Sequence, residues 1–204
     1  MDILVFGGFL GSGKTTIIGK TLRGLVEHGK TIALIENEIG EIGIDDVFFE
    51  GEGMKVVPLF GGCVCCQISG SLLVAIKDIE DEINPDVIVI EMTGLALTGG
   101  IREIFEFYPG KTLSVHVISV LDLARWDKLM LAMGHLIEAQ LEGADMVLLN
   151  KEDLSTTTEE AHLFARSHAP DAQIITISAH EEDPAFVGEI EKMLQAQSEG
   201  GSNA

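Results

Sequence analysis

Gly7-Gly8-Phe9-Leu10-Gly11-Ser12-Gly13-Lys14-Thr15-Thr16 is the stretch whose reading decides the fold. Within it, Gly8-x-x-x-x-Gly13-Lys14-Thr15 has the spacing of a phosphate loop. An apolar run, Ile3–Phe6, precedes it, and a helical pattern, Lys14–Val26, follows. Strand, glycine turn and helix in that order gather backbone N–H groups and a helix N-terminus around one anion. The glycines let consecutive N–H groups turn inward. Lys14 is placed to reach the β- and γ-phosphates, and the Thr15 hydroxyl to ligate Mg²⁺. A chance glycine-rich turn would not carry strand and helix in register.

Working outward, apolar runs alternate with helical patterns along the whole chain. The strands are expected at Ile3–Phe6, Thr31–Ile35, Lys55–Leu59, Val87–Glu91, Leu113–Val120, Met146–Asn150 and Ile174–Ser178. Runs such as Val87-Ile88-Val89-Ile90 are apolar at every position, as strands covered on both faces are. Helices are expected at Lys14–Val26, Leu72–Ile83, Ile101–Phe107, Ala124–Glu142, Thr158–Ser167 and Ala185–Gln197. The fold class that follows is α/β, a three-layer P-loop NTPase arrangement with a mostly parallel central sheet and helices on both faces. Residues 1–197 are expected to form a single domain, with residues 198–204 as a loose, disordered tail. Trp126, Leu129, Met130, Met133 and Ile137 recur at helical spacing and read as a core stripe, with a dimer or partner face as the other reading.

Composition narrows the partners. The chain has 204 residues, 13 Lys+Arg against 33 Asp+Glu, and a net charge of -20. Such a balance excludes nucleic acid, which needs a positive stripe, and docking on anionic lipid. No apolar run is long enough to span a membrane, and Asp2 with no basic segment argues against a secretory signal. The three cysteines cannot build a disulfide framework, so a reducing, cytoplasmic setting is expected. Each of the six histidines reads as a surface or core residue, because none forms a metal-binding pattern.

Two strand ends carry further chemistry. Met146–Leu149 leads into Asn150-Lys151-Glu152-Asp153. A carboxylate there accepts from guanine N1–H and the exocyclic amine, donors that adenine lacks, so Asp153 selects the base. Asn150 is expected to contact the base and hold the loop, and the Lys151 stem to cover the ring. Thr176-Ile177-Ser178-Ala179 is either an element that closes over the purine or a plain strand-end turn. Val87–Ile90 ends in Glu91-Met92-Thr93-Gly94, the place where a P-loop enzyme positions Mg²⁺ and reads the γ-phosphate. Most such enzymes have Asp where this chain has Glu91, so contact through a metal-bound water is expected.

Between Thr31 and Met54 there is no Lys or Arg, while Glu36, Glu38, Glu41, Asp45, Asp46, Glu50 and Glu52 fall there. This is either a solvated loop or a mobile switch that supplies carboxylates to a metal. Phe60-Gly61-Gly62-Cys63-Val64-Cys65-Cys66 follows the third strand. Three thiols within four residues can converge on one soft cation, and Zn²⁺ wants a fourth ligand, which leaves an open position suited to transfer. Three small buried residues, or a redox pair, are the alternatives.

Taken together, Gly-Phe-Leu-Gly-Ser-Gly-Lys-Thr-Thr, Glu-Asn-Glu-Ile-Gly-Glu, Gly-Gly-Cys-Val-Cys-Cys, Glu-Met-Thr-Gly-Leu-Ala and Asn-Lys-Glu-Asp resemble the CobW-type P-loop GTPases, related to the nickel-insertion and urease-maturation GTPases. Gln140, ahead of Ala144-Asp145, also resembles the family. The resemblance covers about residues 1–180 and implies GTP and GDP as ligands, with Mg²⁺. The implied nucleotide contacts are Gly8, Gly11, Ser12, Gly13, Lys14, Thr15, Thr16, Asn150, Lys151, Asp153, Ser178 and Ala179. The implied catalytic residues are Lys14, Thr15 and Glu91. It further implies that Cys63, Cys65 and Cys66, helped by Glu36 and Glu41, bind Zn²⁺, cobalt or another divalent transition metal. Two departures stand out: the chain is expected to be a short form without the usual C-terminal domain, and Leu95-Ala96-Leu97-Thr98 lacks the usual Asp-Pro.

The expected function is a slow GTPase of metallochaperone type, whose nucleotide state gates the thiolate site for delivery to a recipient apo-metalloprotein. A homodimer is an open expectation. The alternative keeps the GTPase but has it activate a cofactor-dependent enzyme, for example a corrinoid enzyme, with structural cysteines.

Overall fold

Seven apolar runs become the seven strands of one sheet in the computed structural model, which describes residues 1–36, 54–58, 68–109, 113–180 and 185–200. The strands are β1 (Asp2–Gly8), β2 (Ile32–Glu36), β3 (Met54–Pro58), β4 (Val87–Glu91), β5 (Ser114–Asp122), β6 (Met146–Asn150) and β7 (Gln173–Ile177). Their order is β3-β2-β4-β1-β5-β6-β7, and every described pairing is parallel. The helices are α1 (Lys14–Glu27), α2 (Ile68–Glu82), α3 (Ile101–Glu106), α4 (Trp126–Leu141), α5 (Thr158–His168) and α6 (Ala185–Gly200).

The continuous apolar runs are explained by two cores. Ile3 and Val5 of β1 face one, with Ile76 of α2, Phe105 of α3, Ile137 of α4 and Ala161 of α5. Leu4 and Phe6 face the other, with Ile17 and Leu22 of α1 and Phe186 and Ile190 of α6. Alternate residues of one strand therefore both lose water, each large side chain contributing about 1.5–3 kcal/mol. This is the three-layer α/β arrangement expected of a P-loop NTPase.

Several boundaries differ from expectation. β5 runs on to Asp122, past Val120, because Leu121 and Asp122 pair with Leu149 and Asn150. The helix expected from Ala124 begins as a 3-10 turn, Leu123–Arg125, and α4 is broken at Met133, whose φ is -141°. Gly134 follows Met133, and glycine is a usual site of helix breaks. The stripe on α4 divides accordingly: Trp126, Leu129 and Ile137 are buried, while Met133 is 41% exposed. α6 continues to Gly200, so residues 198–200 extend the helix that was expected to end at Gln197. Neither Pro nor Gly falls between Gln197 and Gly200, and Gln195-Ala196-Gln197 favour continuation.

β1 lies between β4 and β5: the connection from β1 runs to β2 on one side, and the connection from β4 crosses to β5 on the other. A crevice opens at such a switch point. The loops after β1, β4, β5, β6 and β7 all meet there.

Candidate nucleotide-binding site

The phosphate loop is shaped by glycines at positive φ: Gly8 at 136°, Gly11 at 73° and Gly13 at 98°. At two of them space also forbids a side chain. A Cβ on Gly8 would strike the Val120 carbonyl, and one on Gly13 would strike the Asn150 amide. Gly13 is the N-cap of α1 and supplies no side-chain capping bond, so no side chain of the cap competes for the first-turn N–H groups. Lys14 is 6% exposed and folds over the loop, its Nζ donating to Gly8 O at 2.9 Å and Phe9 O at 3.4 Å. Ser12 is fully buried, and its Oγ has no partner among the described residues.

Thr15 Oγ1 donates to Glu91 Oε1 at 3.1 Å. A hydroxyl and a carboxylate this close, beside the phosphate loop, are the hard oxygen donors that Mg²⁺ prefers. The residues present thus fit the ion, and Thr15 and Glu91 would hold it. Bound there, Mg²⁺ would supply neutralising charge to phosphate oxygens.

The base-reading side is tied together by Asn150, 2% exposed. Its Nδ2 donates to Ser12 O at 2.8 Å. Its Oδ1 accepts from Lys151 N at 2.8 Å and Ala179 N at 2.9 Å. One amide thus joins the loops after β1, β6 and β7. Ser178 Oγ donates to Asp153 Oδ1 at 2.8 Å, which orients that carboxylate. Lys151, at φ 69°, sends Nζ to Gly11 O at 2.7 Å. From the sequence, Asn150 is expected to contact the base and hold the loop, and the Lys151 stem to cover the ring. In the structure both side chains reach carbonyls of the phosphate loop, Ser12 O and Gly11 O.

Asp122 and Arg125 went unnoticed in the sequence. The Asp122 carboxylate is fully buried and accepts from Lys151 Nζ at 2.8 Å and Arg125 Nε at 2.6 Å. Arg125 also donates to Leu10 O at 2.6 Å. Asp122 therefore aims two cations at carbonyls of the phosphate loop. An acid closing an apolar strand directly opposite Asn150 was the available signal.

Gly11 and Thr16 lie where the motif places them, on the loop and first turn of α1. Cys63, Cys65, Cys66 and Glu41 lie outside the described residues. Glu36 ends β2, and register sets its backbone between those of Glu91 and Pro58. Among the described residues there is no group of three or more His, Cys, Asp or Glu that could hold a metal, and no helix long and apolar enough to cross a membrane.

With the phosphate loop, acidic strand end and base-reading loop assembled, comparison with known proteins decides the lineage. The family model described as CobW/HypB/UreG, nucleotide-binding domain, matches residues 2–176. The chain belongs to this family. Within the family's orbit, the zinc chaperone YjiA of Escherichia coli (strain K12) is 34% identical over 168 residues, covering 78% of this chain and 52% of that protein. The crystal structure of Zn(II)-bound YjiA GTPase from E. coli superposes with TM-score 0.67 at 27% identity, over 92% of this chain and 60% of that one. The hydrogenase maturation factor HypB of Archaeoglobus fulgidus reaches TM-score 0.70 at 18% identity, over 95% and 90% of the two chains, and speaks for the fold alone. The chain spans about half the length of the curated relatives it matches.

Proposed function

We propose that this chain binds GTP with Mg²⁺, hydrolyses it slowly to GDP and phosphate, and uses the change to gate a metal site made by Cys63, Cys65 and Cys66 with Glu36 and Glu41. The observation that carries the nucleotide half is Asn150, whose amide joins Ser12 to Ala179 while Ser178 orients Asp153. A carboxylate so oriented, beside a phosphate cradle, supports the reading of guanine by Asp153. Backbone N–H groups of residues 8–15 and Lys14 would stabilise charge on the transferring phosphoryl group, with water as nucleophile. Lys14 would exchange the carbonyls of Gly8 and Phe9 for phosphate oxygens on binding.

The metal half rests on the thiol cluster, on the register and on the relatives. Glu36 leaves the sheet beside Glu91, and the chain leaves β3 at Pro58, one strand over, toward the cysteines. A change read at Glu91 has a short path to the two strand ends, Glu36 and Pro58, from which both segments depart. YjiA is described as a zinc chaperone, which supports zinc as the cargo here, delivered to a recipient apo-protein. Residues 1–197 would act as one GTPase unit in a reducing, cytoplasmic setting that keeps the thiols free.

Anaerobic Zn²⁺ titration with elemental analysis tests the coupling. Affinity measured with a GTP analogue, with GDP and without nucleotide, all in Mg²⁺, is expected to differ between states. Replacing Cys65 and Cys66 by Ser is expected to abolish the difference while nucleotide binding persists. Three equal affinities in the unmodified chain would overturn the gating.

A further inference from the structure

One buried amide holds the loop that follows β4. Gln140 lies in the last turn of α4 and is fully buried. Its Nε2 donates to Gly94 O and to Ala96 O, both at 3.1 Å. Its own carbonyl accepts from Thr98 Oγ1 at 2.8 Å and Ser119 Oγ at 2.5 Å. The side chain and backbone of a single residue therefore bind three positions of one short loop, Gly94, Ala96 and Thr98, and anchor them to β5.

That loop lies along the phosphate loop. At its start, Glu91 accepts the Thr15 hydroxyl. In its middle, Gly94 packs so closely on Leu10 that a Cβ would come within 2.5 Å of Leu10 N and 2.9 Å of its Cα. Near its end, the Thr98 methyl fills the space a Cβ on Gly7 would need. Gly94 has no side chain and lies against the Leu10 backbone, so the loop's backbone path sets what the site offers to a third phosphate.

The Gln140 side chain also bears a cost that packing alone would not require. Its Oε1 is buried with no partner among the described residues. Leaving a buried polar atom dry is unfavourable, and an unbranched apolar side chain of the same length would avoid it. What the amide gains in exchange is two donors aimed at two carbonyls of the same loop.

We propose that Gln140 is the positioning residue of this loop and sets how far the site distinguishes a nucleoside triphosphate from a diphosphate. It touches neither ligand, and it acts through Gly94 and Ala96. The inference rests on the reading of residues 91–94 as the γ-phosphate side of the site, and the test separates the two.

The experiment measures Kd for GDP and for a non-hydrolysable GTP analogue with Mg²⁺, in the unmodified full chain and in Gln140→Met and Gln140→Glu. Methionine keeps the length and removes both donors, and glutamate keeps the shape and offers an acceptor to carbonyls. In both, the preference for the triphosphate is expected to fall about tenfold, the scale of losing two neutral hydrogen bonds, while GDP affinity stays within about twofold. Single-turnover hydrolysis is expected to slow with the same ranking. If neither variant folds, Thr98→Val keeps the methyl against Gly7 and removes one anchor, and a smaller shift of the same sign is expected. Equal weakening of both nucleotides, or no change in either, would take triphosphate discrimination away from Gln140 and overturn the proposal, whatever the melting temperature does. An unmodified chain that binds both nucleotides equally would overturn the γ-phosphate reading with it.

Discussion

β5 carries an acid–arginine pair at each of its ends, and the two pairs differ in what they hold. At the carboxyl end, the fully buried Asp122 carboxylate takes Arg125 and Lys151, and those cations reach Leu10 O and Gly11 O of the phosphate loop. At the amino end, Asp145 pairs with Arg102 and accepts from Val117 N at 2.7 Å, while Arg102 donates to Val115 O. The parts are the same. One assembly tensions the loop proposed to grip an anion; the other closes a strand end. The carboxyl-end acid leaves Oδ1 without a partner among the described residues, whereas the Asp145 Oδ2 alone serves both a cation and an amide. Ser12 Oγ and Asp122 Oδ1, both at the switch point, are buried with no partner among the described residues, as polar groups at functional sites in parallel sheets often are.

The sharpest way to break this comparison is to exchange charge for shape at each end. Asp122→Asn removes the anchor that aligns Lys151 and Arg125. GTP and GDP affinities are expected to fall together by tenfold to a hundredfold, on the scale of about 1.5–3 kcal/mol for a charged hydrogen bond. Stability is expected to change little, because a buried carboxylate that carries a desolvation cost is removed along with its attraction. Isothermal titration beside thermal melting reads both. Unchanged affinity with lower stability would make Asp122 a structural acid like Asp145.

Asp145→Asn is expected to do the reverse, with a smaller effect. Both side chains of the pair are about a third or more exposed, so solvent screens the ion pair and the loss falls at about 1 kcal/mol. Urea denaturation is expected to show it, with nucleotide affinity within twofold of the unmodified chain. A shared drop in nucleotide affinity would mean that strain travels along β5 and that the two ends are not separate devices.

What could be read ahead of the structure follows the same division. Val87–Ile90 and Met146–Leu149 announced themselves because strands buried on both faces are apolar throughout. The phosphate loop was legible because its cradle is built from residues adjacent in sequence. Asn150 is 138 residues from Ser12, and only a known local pattern marked it. Asp122, Arg125 and the grip of Gln140 on Gly94 have no such pattern: their partners are brought by the sheet, over separations that no periodicity records. The break at Met133 was hidden because an apolar stripe continues across it at helical spacing.

His116 complicates the amino end and gives the finest test. It is 1% exposed in β5, and its Nε2 has no partner among the described residues. Burial lowers its pKa from 6.5; Asp145 and Asp2 pull the other way, and Arg102 adds to the lowering. The folded chain therefore holds a neutral imidazole, while the unfolded chain takes up a proton as pH drops below about 6.5. The unfolded state then binds more protons, so stability is full above that pH and declines below it. The slope from this one group cannot exceed about 1.4 kcal/mol per pH unit. Between pH 7.5 and 5.5 the unmodified chain is expected to lose more stability than His116→Leu, whose side chain suits the apolar neighbours of Leu4 across the pairing. Nucleotide affinity should follow the same pH course in both proteins, because the nucleotide loops lie at the other end of the strand. If His116→Leu altered the pH dependence of GTP binding, the amino end would be linked to the site after all, through the β5 backbone that runs from His116 to Asp122.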